Sequence, residues 1–117
     1  MDRLQIPEKH TLLSPSLSIL KYTMDVIALL REHEPEIKKR FGVATIGIFG
    51  SFVRGEERPD SDVDVLVTFS PGEKTFAHYM ECKFYLEALF GRKVDLVMKG
   101  SIKKRLKHSI LSEVVYA

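Results

Sequence analysis

The apolar residues of this chain fall into short runs separated by polar segments, and three of these runs have the length of β-strands. They are residues 43–49 (VATIGIF), 62–69 (DVDVLVTF) and 93–98 (KVDLVM), each containing the β-branched residues that favour extended backbone. Glycine, serine or proline follows the first two runs, as expected where a strand ends. The pattern therefore predicts three short, buried strands.

Between the second and third runs, apolar residues recur every three or four positions, which predicts the buried face of a helix over residues 75–90. The residues of that predicted face are Ala77, Met80, Phe84 and Ala88. Gly91 is the expected stop of this helix. A last helix, capped by Ser101, is predicted from apolar residues at every fourth position. These residues are Ile102, Leu106, Ile110 and Val114.

The residues before the first strand also have a helical pattern. Pro15 suits the first position of a helix and Thr23 suits an N-cap, and a helix from either residue is expected to run to about His33. Pro35 then breaks this helix or starts a second short one over 35–41, because proline lacks the N–H that an interior helical residue donates.

Composition limits the size and the setting of the molecule. At 117 residues, of which 44% are hydrophobic, the chain has enough apolar material for one domain with one core. Its formal net charge of +2 is too small to argue for nucleic acid as a direct partner. Cys82 is the only cysteine and is expected in the core, and no apolar run suits a signal peptide or a membrane span. A cytoplasmic protein without a membrane partner is expected.

Aspartates stand at the start of the second strand and at the centre of the third. Side chains two residues apart on a strand point the same way, so Asp62 and Asp64 are expected on one face. Asp95 has apolar neighbours, among which a carboxylate is costly to bury without a positive partner. A divalent cation shared by the three acids would meet that need if the third strand lies beside the second. Asp60 follows Pro59 and is assigned to the turn instead.

Gly50 and Ser51 follow the first strand, where a helical turn could begin. Free backbone N–H groups at such a turn favour phosphate, glycine lets a phosphate come close, and the serine hydroxyl can donate a hydrogen bond to it. Phosphate at the end of the first strand and metal at the start of the second can serve one ligand only if these strands are antiparallel. The helix over 75–90 permits a crossover that leaves the second and third strands parallel. The expected fold is α+β, with a small mixed sheet flanked by helices.

The spacing of these residues resembles a known signature. A glycine and a serine, ten further residues and then Asp-Val-Asp occur in the same way in the DNA polymerase beta-type nucleotidyltransferase superfamily. The fuller string GSFVRGEERPDSDVDVLV is similar to the minimal nucleotidyltransferases (MNT), the antitoxin half of HEPN/MNT toxin-antitoxin pairs. The similarity extends from about Met24 to the last helix, which indicates an N-terminal extension or helix start over 1–22 and one nucleotidyltransferase domain over 23–117.

The resemblance implies a role for each matched residue. Gly50 and Ser51 would bind the triphosphate of ATP, Asp62 and Asp64 would hold two Mg2+ ions, and Asp95 would complete the metal site. The acceptor hydroxyl would attack the α-phosphorus and pyrophosphate would leave. Asp95 would act either as a general base as well or as a metal ligand alone.

The resemblance also implies a partner. The chain would be an antitoxin that transfers AMP from ATP to a tyrosine of a cognate HEPN ribonuclease toxin, with which it would form a hetero-oligomer. Small-molecule members of the superfamily generally carry a further domain that is missing from this sequence, which favours a protein as acceptor. Two alternatives stay open: an antitoxin that acts by binding alone, and a small-molecule nucleotidyltransferase that works with a separate helical subunit.

Some basic residues fit either a functional or an ordinary surface role. Arg54 lies within the signature and could reach a phosphate oxygen, although a solvated arginine at a helix end fits the sequence equally well. A basic stripe on the last helix could bind an acidic partner or phosphate, but a charge run is usually a solvated face. It consists of Lys103, Lys104, Arg105 and Lys107.

Overall fold

The computed structural model describes the backbone of residues 15–117 and the side chains of residues 26–117. Residues 1–14, which make up most of the segment assigned to an N-terminal extension or helix start, lie outside the described residues. The elements are α1 (Pro15–Phe41), β1 (Val43–Phe49), α2 (Ser51–Arg54), β2 (Val63–Phe69), α3 (Phe76–Phe90), β3 (Val94–Met98), a 3-10 turn (Lys99–Ser101), α4 (Lys104–Glu113) and β4 (Val115–Tyr116).

The four strands form one mixed sheet in the order β3-β2-β1-β4. Strands β1 and β2 are antiparallel, whereas β2 and β3 are parallel and joined through α3. The α+β class and both expected strand directions are therefore confirmed. The end of β1 and the beginnings of β2 and β3 consequently lie at the same end of the sheet along the strand direction.

Alternation along β2 separates the core from the acidic face. Val63, Val65 and Val67 are buried in the core cluster, together with apolar side chains of α1, α2, α3, β1 and β3. Asp64 and Leu66 point to the opposite face of the sheet because successive side chains of a strand alternate. The V-D-V-L-V pattern thus buries three valines in the core and places one carboxylate on the face of the sheet opposite to α1 and α3.

The first helix is longer than the sequence suggested. Pro35 neither breaks it nor starts a new one, because α1 runs without interruption from Pro15 to Phe41. Leu30 and Ile37, on either side of the proline, are fully buried in the same core, so tertiary packing outweighs the lost backbone hydrogen bond. Among the described residues, no helix combines the length and the apolar character that crossing a bilayer requires.

The predicted buried face of α3 is wrong. Phe84 is 57% exposed and Ala77 and Ala88 are also exposed, whereas Cys82 and Leu86 are fully buried. Apolar residues surround this helix on every side, so two different stripes satisfy helical spacing. The helix itself is confirmed: the hydroxyl of its N-cap Thr75 accepts a hydrogen bond from the N–H of His78, and Gly91 ends the helix.

The C-terminal segment also differs from the expectation. Ser101 belongs to a 3-10 turn and does not cap α4, which begins at Lys104 and ends at Glu113. The chain then becomes extended, and β4 pairs with Gly47 and Ile48 of β1. Ala117 continues the pairing by donating its N–H to the carbonyl of Ile46 at 3.0 Å. The helix is shorter than predicted because pairing with the free edge of β1 satisfies the backbone of the last residues.

The burial of Cys82 leads to a prediction about its reactivity. Its side chain is fully buried, and burial raises the pKa of the thiol to about 12, so almost no thiolate exists near neutral pH. We expect iodoacetamide to leave Cys82 unmodified in the native protein and to label it fully in denaturant. Mass spectrometry of both samples measures this, and rapid labelling of the native protein would contradict a purely structural role.

Candidate active site

Three aspartates lie at the end of the sheet where β1 finishes and where β2 and β3 begin. Asp64 and Asp95 are register partners in the parallel β2–β3 pair, so their side chains leave the sheet on the same face. Asp62 directly precedes β2 and is exposed, as is Asp95, whereas Asp64 is half-buried. The structure therefore places the three acids that the sequence singled out at the same end of the sheet.

Asp64 is the electrostatic centre of this group. The pKa of its carboxyl group is raised to about 6, first by burial and then by the negative charges of Asp95, Asp62 and Glu113, while the positive charge of Arg54 lowers it. A carboxyl group with such a pKa lacks enough positive charge around it. Perturbation of this kind, at an exposed cluster of acids, is typical of a functional site.

The chemistry of the three side chains fits a hard divalent cation. Mg2+ prefers carboxylate oxygens and retains several waters, so exposed acids such as Asp62 and Asp95 are suitable ligands. In residues 26–117, however, no three His, Cys, Asp or Glu side chains already stand in an arrangement that holds a metal ion. Exposed aspartate side chains change rotamer readily, so a cation could draw Asp62 and Asp95 towards Asp64.

The turn that carries Gly50 is pressed against Asp64. Gly50 has φ 80° and ψ −151°, a backbone conformation that is essentially restricted to glycine. A Cβ atom on Gly50 would overlap the Oδ2 atom of Asp64 and lie 2.9 Å from its Cγ atom. Ser51 follows as the first residue of α2, so its side chain stands at the same edge. The absence of a side chain at position 50 thus leaves room for the Asp64 carboxylate.

The N–H of Gly50 has an acceptor that the sequence did not reveal. It donates to the Oε2 atom of Glu113, at the end of α4, over 2.8 Å. Arg54 donates through Nη1 to both carboxylate oxygens of Glu113 at 3.1 Å and through Nε to Glu56 at 3.0 Å. These bonds to Glu56 and Glu113 raise the pKa of Arg54. The N–H of Gly50, expected to be free for phosphate, is therefore already bonded.

Another residue that the sequence analysis missed is Arg92, which precedes β3. Its Nη1 atom donates to the carbonyl oxygens of Arg58, Pro59 and Ser61 at 3.0–3.2 Å. Its guanidinium group also lies 5.0 Å from the ring centre of the buried Phe52. Arg92 thus holds the connection between α2 and β2 immediately before Asp62. Only the tertiary fold brings an arginine from another strand to these carbonyls.

The other residues that the sequence singled out lie at less specific places. Asp60 is exposed in the turn after Pro59, as expected. The four residues of the basic stripe are also exposed on or next to α4. Tyr79 and Tyr85 pack against the core, and the hydroxyl of Tyr79 donates to the carbonyl of Leu96 at 2.7 Å.

The raised pKa of Asp64 predicts a pH effect on stability in the absence of divalent cations. Because the folded-state pKa of about 6 exceeds the ordinary 3.8, the folded protein binds this proton more tightly than the unfolded chain does. The resulting stabilisation is complete below about pH 4 and is lost as the pH rises through about 6. Asp64→Asn carries no ionisable group at this position, so its stability relative to wild type should increase over that interval.

Thermal denaturation of both proteins in a chelator, at about pH 4 and about pH 7.5, measures this difference. A difference in melting temperature that does not change with pH would contradict the electrostatic description of Asp64.

The sequence of this chain is similar to those of known nucleotidyltransferases. The family model of the nucleotidyltransferase domain matches residues 30–117. The protein adenylyltransferase MntA of Thermococcus cleftensis is 48% identical over 92 residues, which cover 79% of this chain and 92% of that protein. The matched part of the chain includes all the acids described above.

Solved structures are similar as well. One, assigned provisionally to a minimal nucleotidyltransferase, has a TM-score of 0.59 and 31% identity, and the match covers 87% of this chain and 95% of that one. A crystal structure of a toxin-antitoxin with AMP-PNP has a TM-score of 0.57 at 22% identity, with 80% of this chain and 70% of that chain covered. The second likeness is one of fold.

Proposed function

This chain belongs to the nucleotidyltransferase domain family, and on that basis we propose that it transfers AMP from ATP to a hydroxyl group of a partner protein. The observation that carries the proposal is the pairing of Asp64 with Asp95 beside the Gly50 turn. The 48% identity to a protein adenylyltransferase supports AMP as the transferred group and a protein as the acceptor.

The three aspartates would hold Mg2+, with Asp62 and Asp64 binding two ions and Asp95 completing the site. When bound, the ions supply positive charge that neutralises the triphosphate and the negative charge that develops on the oxygens around the α-phosphorus and on the leaving pyrophosphate. The raised pKa of Asp64 supports this assignment, because a cation is the missing partner of the crowded carboxylates.

The phosphates would lie beside the Gly50 turn. The hydroxyl of Ser51 would donate to a phosphate oxygen, and the missing side chain of Gly50 keeps Asp64 close to that position. The guanidinium group of Arg54 is half-exposed and adds a positive charge on the same side. These groups would hold the triphosphate so that pyrophosphate leaves away from the acceptor.

The acceptor hydroxyl would approach from the solvent, where Asp95 is exposed. Its oxygen would form a bond to the α-phosphorus as the bond to the pyrophosphate oxygen breaks, and a carboxylate oxygen of Asp95 would take the hydroxyl proton. A site with two exposed acids leaves room for a protein surface to present its hydroxyl. A HEPN-type toxin, with tyrosine as the acceptor, is the proposed partner, in line with the MNT resemblance.

The test uses the protein, a candidate HEPN partner encoded by the neighbouring gene, Mg2+ and ATP labelled either at the α- or at the γ-phosphate. Transfer of AMP predicts that only the α-label appears on the partner, at a tyrosine identified by mass spectrometry, and that pyrophosphate is released. Label from the γ-phosphate would indicate phosphorylation instead. In the alternative outcome, the protein neutralises its partner without labelling it. If the double variant Asp62→Asn, Asp64→Asn then neutralises the partner equally well, binding is the mechanism.

A further inference from the structure

The carboxylate of Glu113 joins the C-terminal helix to the turn beside the acidic site. Glu113 and Gly50 are 63 residues apart in the sequence, yet the carboxylate accepts the Gly50 N–H at 2.8 Å. Its side chain is only 22% exposed, which makes this bond better shielded from water than an ordinary surface contact. The contact is therefore a specific feature of the folded chain.

The sheet explains how this contact arises. Strand β4 pairs with β1 in the antiparallel register Gly47–Tyr116 and Ile48–Val115. Continuing that register two steps places Glu113 opposite Gly50. A Cβ atom on Gly47 would lie 2.8 Å from the carbonyl oxygen of Val115, so a glycine there permits the close approach of β4. The pairing of the short strand β4 with β1 thus places Glu113 next to Gly50.

We propose that Glu113 is a positioning residue for nucleotidyl transfer, holding the Gly50 turn and Arg54 in the arrangement that the triphosphate requires. The inference rests on the proposed function. Glycine is the most flexible residue of the backbone, so Gly50 can leave the conformation it has here unless another contact holds it. The hydrogen bond from its N–H to Glu113 is such a contact. The same carboxylate fixes the Nη1 atom of Arg54, whose charge acts on Asp64. One side chain therefore sets the place of both groups.

Three substitutions of Glu113 distinguish the effect of its side-chain length from the effect of its charge. Glu113→Gln keeps the length and an acceptor oxygen for the Gly50 N–H but removes the charge. Glu113→Asp keeps the charge but withdraws the carboxylate by one methylene, and Glu113→Ala removes both. Glu36→Gln is the control, because Glu36 makes an exposed ion pair with Arg40 on α1.

If Glu113 acts by position, kcat for AMP transfer should fall about 10- to 100-fold in the Ala and Asp variants, because small misplacements at a reacting centre are costly. The Gln variant should retain more activity than the Asp variant, and the control should match wild type. The exchange rate of the Gly50 amide hydrogen should rise in the Ala and Asp variants and stay low in the Gln variant. Should the Ala variant fail to fold, the Gln and Asp variants still decide.

Other outcomes overturn the proposal. An Asp variant as active as wild type, with a weaker Gln variant, would mean that only the charge matters. Lower KM for ATP and faster transfer in the Ala variant would identify Glu113 as an anion that competes with phosphate. Unchanged kcat in all three would exclude any role. A wild-type protein that transfers no label to its partner would instead refute the proposed function on which the inference rests.

Discussion

If Asp64 holds Mg2+ as proposed, Asp64→Asn should lower the rate of AMP transfer by about 10³-fold or more, because loss of a metal ligand would remove several kcal/mol of charge stabilisation and about 1.4 kcal/mol corresponds to a factor of ten. Asp64 lies between Asp62, which precedes it by two residues, and Asp95, its register partner. Asparagine has nearly the same size but one neutral acceptor oxygen in place of two charged ones. The substitution therefore changes the charge of the site with little change in its shape.

The measurement is the initial rate of label transfer from α-labelled ATP, together with the melting temperature of each protein. Asp60→Asn is a matched control, because Asp60 lies in the turn two residues before Asp62 and is exposed to solvent. It should keep the wild-type rate. A rate for Asp64→Asn within about tenfold of wild type would refute a central role of this carboxylate.

Gly50→Ala should reduce transfer by about 10²-fold or more, since displacement of a positioning group by about 1 Å has effects of that size. The added methyl group would overlap the Asp64 carboxylate and would also require a backbone conformation that only glycine adopts readily. Either Asp64 moves away or the turn rearranges and loses its bond to Glu113. The backbone strain alone should cost about 1–3 kcal/mol of stability.

Gly55→Ala provides the comparison for this prediction. Gly55 also has a positive φ, 73°, at the other end of α2, but a Cβ atom there meets nothing within 4 Å. This variant should lose only about 1–2 kcal/mol of stability, from the left-handed backbone, and should retain its activity. Equal losses of activity in the two variants would show that contact with Asp64 is not the reason for glycine at position 50. Activity assays below both melting temperatures separate the effects on catalysis from those on stability.

Local patterns were sufficient to predict β1, β2 and β3 and the side of β2 on which an acid stands, whereas β4 was not predicted. A strand such as β2 is recognisable because alternation of valine with other residues is a property of a few neighbouring positions. The same alternation indicates that Asp64 opposes the valines, and the spacing from Gly50 to Asp64 carries the family resemblance. The mixed sheet followed from requiring one ligand to reach both ends of that segment, and the strand directions agree.

The sequence by itself therefore determined the first three strands, the side of β2 on which an acid stands, and the family. The tertiary structure alone decided which stripe of α3 is buried, how α1 continues through Pro35, and where Glu113 lies. Two stripes of α3 have equal helical spacing, and only packing against α1 and the sheet selects the one with Cys82. The contact between Glu113 and Gly50 depends on a register between distant segments, and local periodicity carries no information about contacts between residues so far apart in the chain.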